Sequence, residues 1–159
     1  MSVTGPLLIV RHSRSGSTDR LVDAFVGGVQ MATQEIEAAP RLEVKGCFDT
    51  EAADVLGAAA IVLATPANFG YMSGAMKDFF ERVFHPCLDH TVGRPYALMV
   101  KGDTDTSGAV TSVERIVAGL RWKSVLPHLS VVGDITDANL AAAAEMGSAL
   151  TAGLAEGLF

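Results

Sequence analysis

Only two cysteines occur in this chain of 159 residues, Cys47 and Cys87, and their spacing matches neither a metal site nor a redox motif. Reduced, buried thiols in a cytoplasmic protein are therefore expected. Charge is also scarce: 19% of residues are charged against 49% hydrophobic, the balance of a packed globular protein rather than a disordered one. Basic excess is missing altogether. A net charge of −6 argues against nucleic acid or an anionic membrane as the main partner. No basic segment precedes an apolar one at the start, so no secretory signal is expected. No apolar run approaches the ~20 residues needed to cross a bilayer. No Ser/Pro-rich linker and no internal repeat divides the chain, so residues 1–159 read as one domain.

Two familiar phosphate-binding signatures are absent as well. The turn after the first apolar run, Pro6-Leu7-Leu8-Ile9-Val10, has no lysine for a Walker loop. It has one glycine where a dinucleotide fingerprint needs three. What stands there is His12-Ser13-Arg14-Ser15-Gly16-Ser17-Thr18, leading into a helical pattern. The first amides of a helix have no partner inside it, and its dipole places roughly half a positive charge at that end. Such a start suits a phosphate. Ser13, Ser15, Ser17 and Thr18 add hydroxyl donors, and Gly16 lets the backbone come close. A capped helix start after a polar turn is the plainer reading of the same residues.

Strand-like and helix-like segments then alternate. Leu21, Phe25, Gly28 and Ala32 share a helical face, and that helix is expected to end near Pro40, with Gly27-Gly28 set against a sheet. Residues 41–46 alternate as an edge strand, and a short helix follows at about 50–56. Ala58 to Ala64 reads as a buried parallel strand that stops at Thr65-Pro66-Ala67-Asn68-Phe69-Gly70. Met72, Ala75, Met76, Phe79, Phe80 and Val83 make an apolar helical stripe that Pro86 is expected to end. Residues 96–100 form a third buried strand, followed by the polar run Lys101 to Gly108 and a further helix through Leu120. A last strand at 129–133 and an alanine-rich helix close the chain. The alternation predicts an open parallel sheet covered on both faces, with three polar loops at the carboxyl ends of strands. In such sheets the ligand lies at those ends.

Three stretches carry a resemblance: Ser13-Arg14-Ser15-Gly16-Ser17-Thr18, then Thr65 to Gly70 with Met72-Ser73-Gly74-Ala75-Met76-Lys77, then Gly102-Asp103 with Gly108-Ala109-Val110 and Glu114. The chain resembles flavodoxin-like FMN proteins, and within them the small NAD(P)H-dependent FMN or quinone reductases. The resemblance implies a three-layer α/β/α fold with a five-stranded parallel sheet in order 2-1-3-4-5. It implies FMN phosphate on residues 13–18, and isoalloxazine bracketed by Thr65, Pro66, Ala67, Asn68, Phe69 and Gly70 and by Lys101, Gly102, Asp103 and Thr104. NADH or NADPH would be the co-substrate and a quinone-like or other small molecule the acceptor, in a homodimer or homotetramer.

The residues themselves leave several roles open. Phe69 and Tyr71 either stack on an aromatic ring or pack in the core. Lys101 is either a snorkelling surface lysine or a charge near the N1 edge of the flavin. Arg14 either pairs with phosphate or faces water. The third loop has no aromatic between Thr104 and Ser107, unlike the ring-sandwiching loop of an electron-carrying flavodoxin. That favours an enzyme, with an FMN electron carrier as the alternative. The flavin would carry the redox chemistry, so no catalytic side chain is assigned. Arg11-His12 resembles the opening of histidine phosphatases, yet Ser13 replaces the usual glycine and no Ser-x-x-x-Arg-Ala-x-x-Thr stretch follows.

Overall fold

The computed structural model describes residues 4–159. Seven strands and five α-helices occur in it: β1 (Leu7–Arg11), α1 (Ser17–Glu35), β2 (Leu42–Gly46), α2 (Ala52–Gly57), β3 (Ala60–Asn68), β4 (Tyr71–Met72), α3 (Gly74–Cys87), β5 (Pro95–Gly102), α4 (Ser107–Leu120), β6 (Lys123–Ser124), β7 (Leu129–Val132) and α5 (Asp137–Ala155). The sheet runs β2-β1-β3-β5 with β6 and β7 both on the outer edge of β5. Every pairing is parallel except the small hairpin of β4 on β3. Counting β6 and β7 as one edge position, this is the 2-1-3-4-5 order.

Period-2 alternation splits each central strand between two cores. Leu8, Val10, Ile61, Leu63, Leu98 and Val100 face α3 and α4, while Leu7, Ile9, Val62, Ala97 and Met99 face α1 and α5. Burial on both faces is why these segments are continuous apolar runs. Cys47 and Cys87 are both free and buried, and burial pushes the Cys47 thiol up to about 12. No described helix is long and apolar enough to cross a membrane.

Several boundaries differ from the expected ones. Helix α1 stops at Glu35 rather than near Pro40, because beyond Ala32 its side chains leave the core and Ile36 turns extended. Gly28 faces the neighbouring helix, not the sheet: a Cβ there would lie 1.8 Å from the Ala144 carbonyl oxygen of α5. Helix α3 includes Pro86 in its last turn and runs to Cys87, closed by the Leu88 amide on the Phe84 carbonyl at 2.9 Å. Strand β3 runs four residues past Ala64. Its pairing with β1 ends at Arg11↔Ala64, but Thr65 and Pro66 still pair with Val100 and Lys101 of β5. Pro66 is tolerated because β3 is open on one side there. The last strand has a separate beginning in β6, since Pro127 has no amide to continue the ladder between Ser124 and Leu129.

Candidate functional site

Three loops meet where the strands end. The first joins β1 to α1. Gly16 is the N-cap of α1 at φ 90°, ψ −8°, a conformation that favours glycine, and it carries no side chain to cap the helix. Ser13 partly replaces that cap, its Oγ accepting from the amides of Gly16 at 3.0 Å and Asp19 at 3.4 Å. The amides of Ser17 and Thr18, the first two of the helix, have no protein acceptor among the described residues. The Ser15 hydroxyl donates to Ser17 Oγ at 3.3 Å. Thr18 is buried, Arg14, Ser15 and Gly16 are exposed, and Arg11 reaches back to Asp19 at 2.7 Å.

The second loop satisfies its own hydrogen bonds. Phe69 (φ 52°) and Gly70 (φ 69°) form a tight turn between the paired residues Asn68 and Tyr71, the backbone pattern of a type I′ hairpin. A phenylalanine in the left-handed region is strained, so its surroundings must hold it. Gly108 does so by close approach: a Cβ there would lie 1.9 Å from the Gly70 carbonyl oxygen. Ser112 Oγ accepts from the Met72 amide at 3.1 Å and donates to the Ala109 carbonyl at 2.8 Å. Thr65 Oγ1 accepts from the Ser73 amide at 3.0 Å and donates to the Pro66 carbonyl. Ser73 Oγ in turn caps α3 through the Met76 amide.

The third loop leaves β5. Lys101 is buried, not a surface lysine, and its Nζ lies 3.2 Å from both the Gly102 carbonyl and Asp103 Oδ1. Gly102 sits where a Cβ would come within 2.8 Å of the Asp105 carbonyl and 3.1 Å of Ala67 Cβ, so the second and third loops touch. Asp105 accepts from the Ser107 amide at 2.9 Å and from its hydroxyl at 2.8 Å. These bonds, the amide's above all, hold its carboxyl below the usual value.

One crevice of about 450 Å³ draws on all three loops, a size usual for small-molecule sites. Its walls are Arg14, Ser15, Ser17 and Thr18, then Pro66, Ala67 and Asn68, then Lys101, Gly102 and Asp103. The remaining sequence candidates lie outside those walls. Ser13 and Gly16 shape the first loop, and Thr65 is fully buried in its hydrogen bonds. Phe69 and Gly70 form the hairpin tip, with the Phe69 side chain wholly exposed, while Tyr71 is 42% exposed. Phe69 is therefore not packed in the core. Thr104 is exposed at the tip of the third loop. His12 follows β1 with its ring Nδ1 buried and without a hydrogen-bond partner among the described residues, and its amide bonded to the Ala64 carbonyl. His85 and His90 lie at and beyond the far end of α3, so the structure does not gather the histidines of a phosphatase.

Ser112 escaped the sequence reading. Its signal was a hydroxyl on the buried stripe of Ala109, Val113 and Val117, where a polar side chain needs a partner.

No family model matches the chain, and no curated protein matches it. Solved structures do. A flavodoxin from the domain Archaea superposes with a TM-score of 0.79 at 16% identity, over 94% of this chain and 98% of that one. A WrbA-like flavodoxin protein from Agrobacterium tumefaciens gives 0.75 at 16% identity, over 97% and 99%. Rubredoxin oxygen:oxidoreductase from Desulfovibrio gigas gives 0.78 at 10% identity, with 98% of this chain covering 38% of that one. At these identities the likeness establishes a flavodoxin-like fold.

Proposed function

We propose that the crevice binds FMN and that the protein is a flavin-dependent oxidoreductase, taking hydride from NADH or NADPH and delivering it to a quinone-like or other small acceptor. The observation that carries the reading is the start of α1. A 19-residue helix opens onto the crevice with a glycine N-cap and two unpartnered amides, ringed by the hydroxyls of Ser15, Ser17 and Thr18. That donor set fits a phosphate, and the crevice extending from it across β3 to β5 fits a flat ring system.

On this reading each loop has a separate task. Ser15, Ser17 and Thr18 hold the phosphate, with Arg14 free to fold over it as a charged clamp. Pro66, Ala67 and Asn68 line one edge of the ring, and Lys101, Gly102 and Asp103 another. Bound FMN supplies the two-electron chemistry, and the protein supplies position and electrostatics. The third loop has only Asp103, Thr104, Asp105 and Thr106 to offer a ring face, which leaves room for a nicotinamide to stack at the roughly 3–3.5 Å that hydride transfer needs.

A specific observation favours the carrier alternative. Phe69 stands wholly exposed on a rigid hairpin beside the crevice, where another protein could meet it. Anaerobic stopped-flow absorbance of the FMN-loaded protein separates the two. Direct bleaching by NADH or NADPH is the expected result, and it should slow when Thr104→Trp places a ring over the open face. Bleaching only by an added reductase protein would make this chain an electron carrier.

A further inference from the structure

We propose that Lys101 makes the site prefer reduced FMN over oxidised FMN, by placing a buried cation against the pyrimidine edge of the ring. This rests on the reading of the crevice as an FMN site. The Lys101 side chain is 9% exposed and lines the crevice, whereas its only carboxylate partner among the described residues, Asp103, is 96% exposed. Its other acceptor is the carbonyl of the adjacent Gly102, and both contacts are long at 3.2 Å. An ammonium has three donors, and among the described residues the third has no acceptor. A buried cation beside water-exposed charge is poorly compensated, so it offers an incoming anionic group more than a satisfied ion pair would.

Placement separates it from the phosphate, and charge complementarity selects the edge of the ring it meets. Lys101 pairs in register with Pro66 of β3, and β3 separates β5 from β1. Two strand spacings amount to about 10 Å, which puts Lys101 away from the phosphate cradle and at the ring end. Reduced FMN carries one hydride equivalent more than oxidised FMN, and its added negative charge gathers at the N1–C2 carbonyl edge. A cation there stabilises the reduced form by more than the oxidised form. Asp103 opposes it, since its carboxylate draws on the same ammonium.

The test measures dissociation constants for oxidised FMN, anaerobically reduced FMN and oxidised riboflavin on the parent and three variants. In Lys101→Met the preference for reduced over oxidised FMN should fall by about tenfold or more, the size of one charge contact at the edge of a protein. The preference for FMN over riboflavin should stay. Lys101→Arg should keep the reduced-form preference. Asp103→Asn, an exposed change that leaves the fold alone, should raise it by about two- to fivefold, a range set by solvent screening. An unchanged preference in both Lys101→Met and Asp103→Asn would overturn the proposal. So would a loss of FMN-over-riboflavin preference in Lys101→Met, which would place the lysine on the phosphate. A parent that binds neither FMN form would overturn the FMN reading itself, and the proposal with it.

Discussion

Helices α1, α3 and α4 all begin at the edge of the sheet where the crevice lies, and they begin differently. At α3 the Ser73 hydroxyl accepts from the Met76 amide at 3.2 Å, and at α4 Asp105 accepts from the Ser107 amide at 2.9 Å. Helix α5, which also follows a strand end, has Thr136 and Asn139 bonded reciprocally. At α1 the N-cap is Gly16, and only Ser13, three residues earlier, reaches back to the first turn. Each start has one capped first-turn amide and leaves two others without a protein acceptor among the described residues; what sets α1 apart is that its free amides belong to Ser17 and Thr18, which line the crevice beside Ser15. On the proposed reading, an anion at this edge of the sheet belongs on residues 13–18, with the other two loops shaping the crevice and bracketing the ring. The rigidity of the second loop supports that division, since Gly108 and Ser112 of α4 and Thr65 of β3 fix it.

Making α1 resemble its neighbours should break the comparison most strongly. Gly16→Asp supplies a cap and a negative charge, at a left-handed position that aspartate tolerates and where a Cβ meets open space. The protein should stay folded and lose FMN affinity by about 100-fold or more through like-charge repulsion. Calorimetric titration with circular dichroism as the folding control checks both halves. Ser15→Ala and Thr18→Ala sharpen it, each removing a hydroxyl that donates to a charged group, at a cost of about 1.5–3 kcal/mol of binding. If both variants hold FMN as tightly as the parent by fluorescence titration, the unpartnered amides do the work alone.

The smallest effect is expected at α4. The Asp105 carboxyl is held below its ordinary 3.8, by the Ser107 amide first and its hydroxyl second. A carboxyl lower in the folded state contributes stability that is full above its unfolded value and is lost as pH falls through the folded one. Asp54 of α2 acts in the same direction: burial would raise it, but the Lys45 ammonium and the Glu51 amide outweigh that and lower it. Stability should therefore decline as pH drops below about 4. Asp105→Asn, which retains an acceptor for the Ser107 amide, should flatten part of that decline in acid unfolding curves while leaving FMN affinity at pH 7 intact.

Much of this was legible before the structure. The continuous apolar strands announced a doubly covered parallel sheet, and the turn from Ser13 to Thr18 announced a helix start suited to an anion. All three expected loops line the crevice through ten of their residues. What stayed hidden depends on contacts between distant segments. Nothing local in Gly28 says that it lies against Ala144 of α5, or in Gly108 that it meets Gly70. Lys101 lies one residue from the end of a buried strand, a position that a flexible ammonium often escapes by reaching water; only its exposure in the folded structure shows that it stays inside. For Phe69, ring stacking and core packing were both open from its residue type, and its left-handed turn into solvent excludes the core.

The central claim is that the open start of α1 receives the phosphate of FMN. Riboflavin is FMN without that group, so titrating both against the same protein by flavin fluorescence isolates the phosphate contribution. FMN should bind at least about 100-fold more tightly, the margin of two charge-assisted hydrogen bonds. Equal affinities, or failure to bind either flavin, would contradict the account.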